Sequence, residues 1–162
     1  MSAEELEAGK DFGRYLEVDG DGIPYRTLPG THPKRGAYFT RGTTRDPYAK
    51  YSEVGSVYIG NMERLERKFD TARKLVPAPV VTSCGKTTRY GVIYYGSTSE
   101  SMREALSLLA DDGLAVDALR VRAFPFADEI YRFIEDHPVC FVVEQNRDAQ
   151  LKTLLVTEGQ FD

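Results

Sequence analysis

A chain of 162 residues is long enough for one domain with a hydrophobic core. Its 25 acidic and 21 basic residues give a net charge of −4, which argues against a general nucleic-acid-binding surface. No apolar run approaches the roughly 18 residues of a membrane-spanning helix, and the start MSAEELEAGK does not resemble a secretory signal. We therefore expect a cytoplasmic protein with no nucleic-acid partner and no membrane partner.

The first 53 residues are predicted to form an extended arm. Ten glycines and prolines fall between Gly13 and Pro47, a spacing that interrupts helices and strands. Five aromatic side chains in the same stretch indicate that the arm packs on a surface instead of staying disordered. These aromatic residues are Tyr25, Tyr38, Phe39, Tyr48 and Tyr51.

Alternating aspartates and glycines in EVDGDGIPYRTLPG (17–30) occur both in calcium loops and in tight turns. Glu17, Asp19 and Asp21 would fill positions 1, 3 and 5 of an EF-type loop, but positions 9 and 12 would be Tyr25 and Leu28. Half of the oxygen cage is therefore missing. Glycine permits a positive φ and aspartate bonds to its own backbone, so we predict a structural turn.

A long amphipathic helix is predicted over 54–79, because apolar residues recur at steps of three and four. Pro77 and Pro79 end the pattern. We expect the apolar stripe to belong to a core or an interface, and we assign it no cofactor. The stripe consists of Val54, Tyr58, Met62, Leu65, Phe69, Ala72 and Val76.

From residue 80 onward, strand patterns alternate with helical patterns. Apolar runs at 90–96, 118–124 and 139–143 predict three strands, each followed by a helix, and VVTS (80–83) is a candidate edge strand. This order predicts an α/β fold, a three-layer α/β/α domain with a mostly parallel sheet. The sequence stops at Asp162 just after an amphipathic segment, so we expect this domain (80–162) to be truncated at its C-terminus.

The segment GSTSES (96–101) follows the first strong strand at the sheet edge where such folds bind ligands. The hydroxyl groups of Ser97, Thr98 and Ser99 and the free backbone N–H groups there could hold an anion or contact another domain. Ser97 and Glu100 also fit an ordinary capping box, S-x-x-E, so both interpretations stay open.

Glu144 and Asn146 end the third strand at the same edge. They face a ligand or another domain, or they belong to a solvated loop. Cys84 and Cys140 are the only cysteines, and a metal centre of the iron–sulfur or structural zinc type needs about four ligands. We expect reduced thiols, no metal site, no catalytic residue and no cofactor-binding residue in this chain.

Four stretches together resemble one family. They read DGDGIPYRTLPGTHPKRGAYFTRGT (19–43), NMERLERKFDTARKLVP (61–77), GVIYYGSTSES (91–101) and FVVEQNRDAQL (141–151). They look like the C-terminal part of the α subunit of 2-oxoacid:ferredoxin oxidoreductases, in particular the bacterial 2-oxoglutarate type. The resemblance implies a fold like the transketolase C-terminal domain, which is domain II of pyruvate:ferredoxin oxidoreductase, with residues 1–53 as the interdomain arm.

The resemblance also implies a reaction for the full complex. Such enzymes oxidatively decarboxylate a 2-oxoacid to its acyl-coenzyme A with thiamine diphosphate and Mg²⁺, and pass electrons through iron–sulfur clusters to ferredoxin. This chain would be a structural and assembly domain, inactive alone, whose partners are the rest of the α subunit, the β subunit and, through the complex, ferredoxin. The GDG at 20–22 precedes Ile23 and Pro24, so it does not match the β subunit's pyrophosphate and metal motif.

Arg26, His32 and Arg41 are candidates for residues along the substrate's route, although no motif assigns them. An alternative function is a stand-alone small α/β module that binds an anion or a nucleotide at GSTSES. An arm of about 40 residues rich in aromatic side chains favours the first interpretation. Without the rest of the subunit, we expect the arm to pack on this chain's own sheet or on a second copy, which would give a homodimer.

Overall fold

The computed structural model describes residues 1–161. Contacts divide the chain into two compact units, Met1–Lys74 and Leu75–Asp162. The elements in chain order are α1 (Ala3–Glu7), α2 (Gly55–Leu75), β1 (Val80–Thr82), β2 (Tyr90–Tyr95), α3 (Thr98–Asp111), β3 (Asp117–Val121), α4 (Asp128–Asp136), β4 (Val139–Val143) and α5 (Gln150–Gly159). The first unit thus contains the arm together with nearly all of the long helix.

The first unit begins with a short helix that the sequence analysis did not predict. In α1 the Ser2 hydroxyl accepts a hydrogen bond from the Glu5 N–H at 3.3 Å, and the Glu5 carboxylate accepts one from the Ser2 N–H at 2.7 Å. Between α1 and α2 the described chain is turns and extended segments, with an isolated bridge between Arg45 and Tyr51. The frequent glycines and prolines account for this irregular path.

The predicted turn in the arm is present, and it lies on α2. Gly20 and Gly22 both have a positive φ, and the Asp21 carboxylate accepts a backbone N–H two residues later at 2.8 Å. Arg64 of α2 donates to the Gly22 carbonyl at 3.2 Å, and the Thr71 hydroxyl donates to the Asp21 carbonyl at 2.7 Å. The turn therefore fixes the arm to the middle of the helix.

The apolar stripe of α2 does not form a buried core in this chain. No residue of α2 is fully buried, and Val54, Tyr58 and Phe69 are 58%, 53% and 49% exposed. Leu65 and Ala72 are half-buried. The stripe is therefore not a buried core by itself, and the expectation that it belongs to a core or an interface stays a prediction. Within residues 1–161, no helix has the length and apolarity needed to cross a membrane.

The second unit is built on a four-stranded sheet in the order β1-β3-β2-β4. The central strand β2 runs parallel to both β3 and β4, while β1 pairs antiparallel with β3 at one edge. Ile93 of β2 lies between Leu119 of β3 and Val142 of β4. The prediction of an α/β fold with a mostly parallel sheet is confirmed.

Successive side chains along each strand point to opposite faces of the sheet. Both faces carry buried apolar side chains, and helices cover both of them. On one face, Ile93 and Leu119 are fully buried under side chains from the α4 and α5 region. That cluster comprises Ile93, Leu119, Val121, Phe126, Ile130, Phe133, Leu151 and Leu155. On the other face, Val92 and Tyr94 pack against Met102 of α3. The sheet and its helices therefore form the three layers that the alternating pattern predicts.

Candidate functional site

The structure brings the two predicted polar segments together at the carboxyl edge of the sheet. The Gln145 side chain donates to the Thr98 hydroxyl at 3.4 Å, and the Asn146 amide donates to the Tyr95 hydroxyl at 3.4 Å. Thr98 is buried there. Because β2 and β4 are parallel neighbours, the segments that follow them meet at one end.

The predicted capping box at the start of α3 is absent, which corrects that expectation. Ser97 occupies the N-cap with helical backbone angles (φ −68°, ψ −16°), and its side chain caps no N–H group. A capping side chain normally requires an extended backbone at this position. Glu100, the other half of the expected box, pairs with Arg103 instead. Ser97 is exposed and Ser99 is half-buried, and their role toward an anion or a second domain stays a prediction.

The Glu144 side chain, which follows β4, caps the N-terminus of α5. Its carboxylate accepts the N–H groups of Leu151 at 2.8 Å and Lys152 at 3.2 Å, and it also accepts a hydrogen bond from the Asn146 amide. The Asn146 side-chain oxygen accepts the N–H of Gln150 at 3.0 Å. A helix N-terminus favours an anion, and here the protein's own carboxylate supplies it.

The pKa of Glu144 reflects this cap. Partial burial opposes ionisation, but the hydrogen bonds from the Leu151 N–H, the Asn146 amide and the Lys152 N–H outweigh it and hold the pKa below its ordinary value. The carboxylate is therefore ionised at neutral pH and already committed to α5. It is an integral part of the fold, and the expected contact of Glu144 and Asn146 with a ligand or another domain stays a prediction.

A cavity of about 450 Å³ lies beside this cap. Its lining includes Ile93, Val142 and Leu155 as apolar residues, together with Cys140 and Glu144. Burial raises the pKa of the Cys140 thiol, so this group stays protonated at neutral pH and is a poor nucleophile. The lining also includes Asn146, Arg147 and Lys152, so the cavity combines apolar with charged groups and offers no activated thiol.

His32 of the arm is held in a turn. Its Nδ1 accepts the backbone N–H groups of Lys34 at 3.0 Å and Arg35 at 2.7 Å, and its Nε2 pairs with the Glu7 carboxylate. Because Nδ1 accepts twice, the ring proton lies on Nε2 and is donated to Glu7. This hydrogen bond from His32 also lowers the pKa of Glu7. His32 therefore links the arm to α1.

Arg26 and Arg41 are both exposed. In the described part of the chain, neither side chain makes a hydrogen bond or an ion pair. A cavity of about 230 Å³ in the arm is lined by His32, Arg35 and Tyr38, among others, but by neither of these two arginines. The structure does not gather Arg26, His32 and Arg41 into one site, and their place along a substrate route stays a prediction.

Sequence reasoning missed a cluster of arginines around Tyr15 in the first unit. Arg45 donates to the Tyr15 hydroxyl at 3.1 Å, and Arg14 and Arg64 lie over the Tyr15 ring. Arg14 is next to Tyr15 in the chain, but Arg45 and Arg64 lie 30 or more residues away, so no local pattern connects all four. The fold of the arm brings Arg45 to Tyr15, and the packing of the arm on α2 adds Arg64.

Metal-binding side chains do not cluster in the part of the chain that the structure describes. Over residues 1–161, no group of three or more His, Cys, Asp or Glu residues is arranged to hold a metal ion. Cys84 and Cys140 are both free. The donor set of these residues does not fit an iron–sulfur cluster, which needs about four ligands, usually thiolates.

Comparison with known proteins supports the resemblance that the sequence motifs carry. The chain is 29% identical over 149 residues to the α subunit of 2-oxoacid:ferredoxin oxidoreductase 2 from Aeropyrum pernix. The match covers 90% of this chain and 22% of that relative, so the chain spans about a fifth of the relative's length. No family model matches the chain.

The fold matches a solved structure. A 2-oxoglutarate:ferredoxin oxidoreductase from Magnetococcus marinus, solved with 2-oxoglutarate, coenzyme A and succinyl-CoA bound, superposes with a TM-score of 0.78. The match covers 93% of this chain and 26% of that chain at 20% sequence identity. The recognition of an α-subunit-like sequence is therefore confirmed over most of the chain, and the fold is shared with an oxidoreductase of this kind.

Proposed function

We propose that this chain is a structural and assembly part of the α subunit of a 2-oxoacid:ferredoxin oxidoreductase. The observation that carries the proposal is the α-subunit match over 90% of the chain, which spans only 22% of the relative. The exposed apolar stripe of α2 supports this proposal, because such a stripe is expected on a helix that packs against other polypeptide segments. Residues 1–53 would be the interdomain arm, 54–79 the connecting helix and 80–162 the α/β domain.

The proposed substrate of the full complex is 2-oxoglutarate, oxidatively decarboxylated to succinyl-CoA with reduction of ferredoxin. The Magnetococcus marinus enzyme, whose fold the chain shares, was solved with 2-oxoglutarate, coenzyme A and succinyl-CoA. Thiamine diphosphate, Mg²⁺ and the iron–sulfur cluster would be held by other parts of the complex, since the residues described here do not fit a cluster. The proposal includes a cytoplasmic location, together with partners in the rest of the α subunit, the β subunit and ferredoxin.

The stand-alone anion-binding module is the weaker candidate. Such a module would use a helix N-terminus at the carboxyl edge of the sheet, and at α5 that position holds the Glu144 carboxylate. A second anion there would meet like charge. For this module, the remaining proposed anion contact is GSTSES at the start of α3, and no observation favours it.

Affinity capture from the native organism tests the proposed assembly role. The tagged chain should recover the remaining α-subunit and β-subunit polypeptides of a 2-oxoacid:ferredoxin oxidoreductase, identified by mass spectrometry. Mixing the recovered complex with 2-oxoglutarate and coenzyme A should reduce a viologen dye. Repeating the assay with pyruvate in place of 2-oxoglutarate tells a 2-oxoglutarate oxidoreductase from a pyruvate oxidoreductase.

The chain alone is the control, and we expect it to reduce no dye. Substrate-dependent reduction by the purified chain would contradict the assembly role. Capture of no oxidoreductase polypeptide, with the chain folded and tagged at either end, would contradict membership in the complex.

A further inference from the structure

Three guanidinium groups surround a single tyrosine ring in the first unit. The guanidinium carbons of Arg14, Arg45 and Arg64 lie 5.3, 5.2 and 5.9 Å from the centroid of the Tyr15 ring. Each arginine lies within the distance of a cation–π contact with this ring. Three like charges within this distance of one ring also repel each other, so the arrangement favours a neutralising anion.

A cavity of about 360 Å³ borders the cluster. Arg45, Arg64 and Arg67 line it, together with the polar side chains of Ser56 and Asn61. Small-molecule sites have volumes from about 300 Å³ upward, so this cavity is large enough for a small metabolite. Its lining combines positive charge with hydrogen-bond donors.

Arg45 and Arg64 have neutral partners in the described chain. Arg45 donates to the Tyr15 hydroxyl at 3.1 Å, and Arg64 donates to the Gly22 carbonyl at 3.2 Å. Burial would raise the pKa of the Tyr15 hydroxyl, but the hydrogen bond from Arg45, together with the charges of Arg45 and Arg14, outweighs this and lowers the pKa. The lowered pKa shows that the surroundings of Tyr15 favour a negative charge.

The one carboxylate in the cavity lining is already engaged. Glu17 pairs with Arg67 at 3.5 Å and also accepts the N–H of Gly20. A single carboxylate cannot balance three guanidinium groups in the lining. The net charge of the lining residues is therefore positive, in contrast to the net negative charge of the chain.

Arg64 has a buried donor with no partner among residues 1–161, its Nε atom. Such an unsatisfied donor is costly in a folded protein. Burial lowers the pKa of the Arg64 guanidinium, and the positive charge of Arg14 lowers it further. A bound anion beside the guanidinium group would offset the lowered pKa, because it carries the opposite charge and accepts hydrogen bonds from the other guanidinium N–H groups.

We propose that this cavity is an oxyanion site, in which Arg45, Arg64 and Arg67 bind the phosphate or carboxylate group of a small molecule. The planar guanidinium group presents paired N–H donors that match the two oxygens of a carboxylate or phosphate. The site lies wholly within the first unit and depends neither on the α/β domain nor on the oxidoreductase assignment.

Titration of the whole chain with inorganic phosphate and, separately, with succinate tests the site. Isothermal calorimetry at constant ionic strength, balanced with sodium chloride, removes the general effect of salt. We expect saturable binding of at least one anion, and the tighter of the two identifies the preferred group. Arg45→Gln should raise the Kd about tenfold or more, since it removes a charged donor.

Arg103→Gln is the matched control because it removes the same charge from an exposed residue of α3 in the other unit. We expect its Kd to equal that of the wild type. Arg67→Gln provides a second variant if Arg45→Gln fails to fold, since the Arg67 side chain is 47% exposed. Absence of saturable binding for both anions, or equal weakening by Arg103→Gln, would overturn the proposal.

Discussion

Gly22 is the residue at which the arm lies directly on the backbone of α2. A Cβ atom there would lie 2.4 Å from the Lys68 nitrogen and 2.6 Å from the Arg64 carbonyl oxygen. Helix backbone cannot move aside easily, and the φ of Gly22 is +77°. Gly22→Ala should therefore combine left-handed strain of about 1–2 kcal/mol with overpacking of about 1–3 kcal/mol. We expect urea denaturation to show a loss of unfolding free energy of about 2–5 kcal/mol.

Gly20→Ala separates the two contributions. Gly20 has nearly the same φ, +79°, but an added Cβ meets nothing within 4 Å. Its cost should be the strain alone, about 1–2 kcal/mol. Equal losses for the two substitutions would show that the turn does not contact α2 as closely as the structure indicates.

The Glu144 cap makes a pH-dependent contribution to stability. Because hydrogen bonds lower its folded-state pKa, the unfolded chain binds a proton first as the pH falls. The contribution is full above the unfolded pKa of about 4.3 and is lost as the pH falls through the lower folded pKa. Glu144→Gln should therefore cost about 1 kcal/mol at neutral pH and progressively less below about pH 4.

Thermal unfolding of wild type and variant between neutral and acid pH measures this difference. Glu104→Gln, at an exposed residue of α3, removes the same charge and serves as the control, with an expected effect within about 0.5 kcal/mol. A Glu144→Gln cost that stays constant from neutral to strongly acid pH would contradict an ionised cap.

At the scale of elements, the pattern S-x-x-E illustrates what a local motif can predict. It occurs at Ser97 with Glu100, where no cap forms, and at Ser2 with Glu5, where both hydrogen bonds form. The difference lies in the backbone at the N-cap, which is extended at Ser2 and helical at Ser97. The preceding strand and turn set that backbone, and a four-residue pattern does not contain this information.

The periodic elements were predicted well because burial dictates their pattern. Strand 139–143 matches β4, and 90–96 matches β2 within a residue, since both are apolar runs. Of these two strands, only β2 is buried on both faces, whereas β4 is an edge strand with one half-buried face. The β1 pairing agrees with a candidate edge strand. The candidate site was predicted less well: the proximity of GSTSES and Glu144 followed from topology, but the cap on α5 did not. The Tyr15 cluster depends on contacts between distant segments, which one sequence does not display.

The exposed stripe on α2 predicts a contact with another polypeptide. Tyr58 is 53% exposed, so Tyr58→Gln should leave the stability of this chain within about 0.5 kcal/mol of wild type. Buried aromatic anchors in interfaces often contribute 2 kcal/mol or more, so capture of the proposed partner subunits should fall about tenfold or more. Quantitative affinity capture measures this loss.

Glu66→Gln is the control for the α2 prediction, since Glu66 is an exposed charged residue of the same helix. We expect capture with this variant to equal that of the wild type. Unchanged capture with Tyr58→Gln, in a fully helical and folded chain, would place the interface elsewhere.

At the scale of the whole molecule, many large apolar side chains are exposed. Phe39 is 81% exposed, while Tyr38, Tyr48 and Tyr51 are each about half exposed. In the second unit, Phe141 on the edge strand β4 is 52% exposed. Aromatic side chains bury on the order of 150–250 Å² each, so these positions supply a substantial driving force for association.

We therefore predict that the isolated chain forms a homodimer through the arm. Light scattering should give twice the chain mass of 18.2 kDa at micromolar concentration. Phe39→Ser should shift the equilibrium toward monomer, because it removes the most exposed ring of the arm. Leu114→Ser, at a position 52% exposed in the second unit, should leave the dimer intact. A monomer whose residues 11–53 are cleaved rapidly while residues 54–162 survive proteolysis would contradict the prediction. That outcome would mean that the rings of the arm have no packing surface on this chain or on a second copy of it.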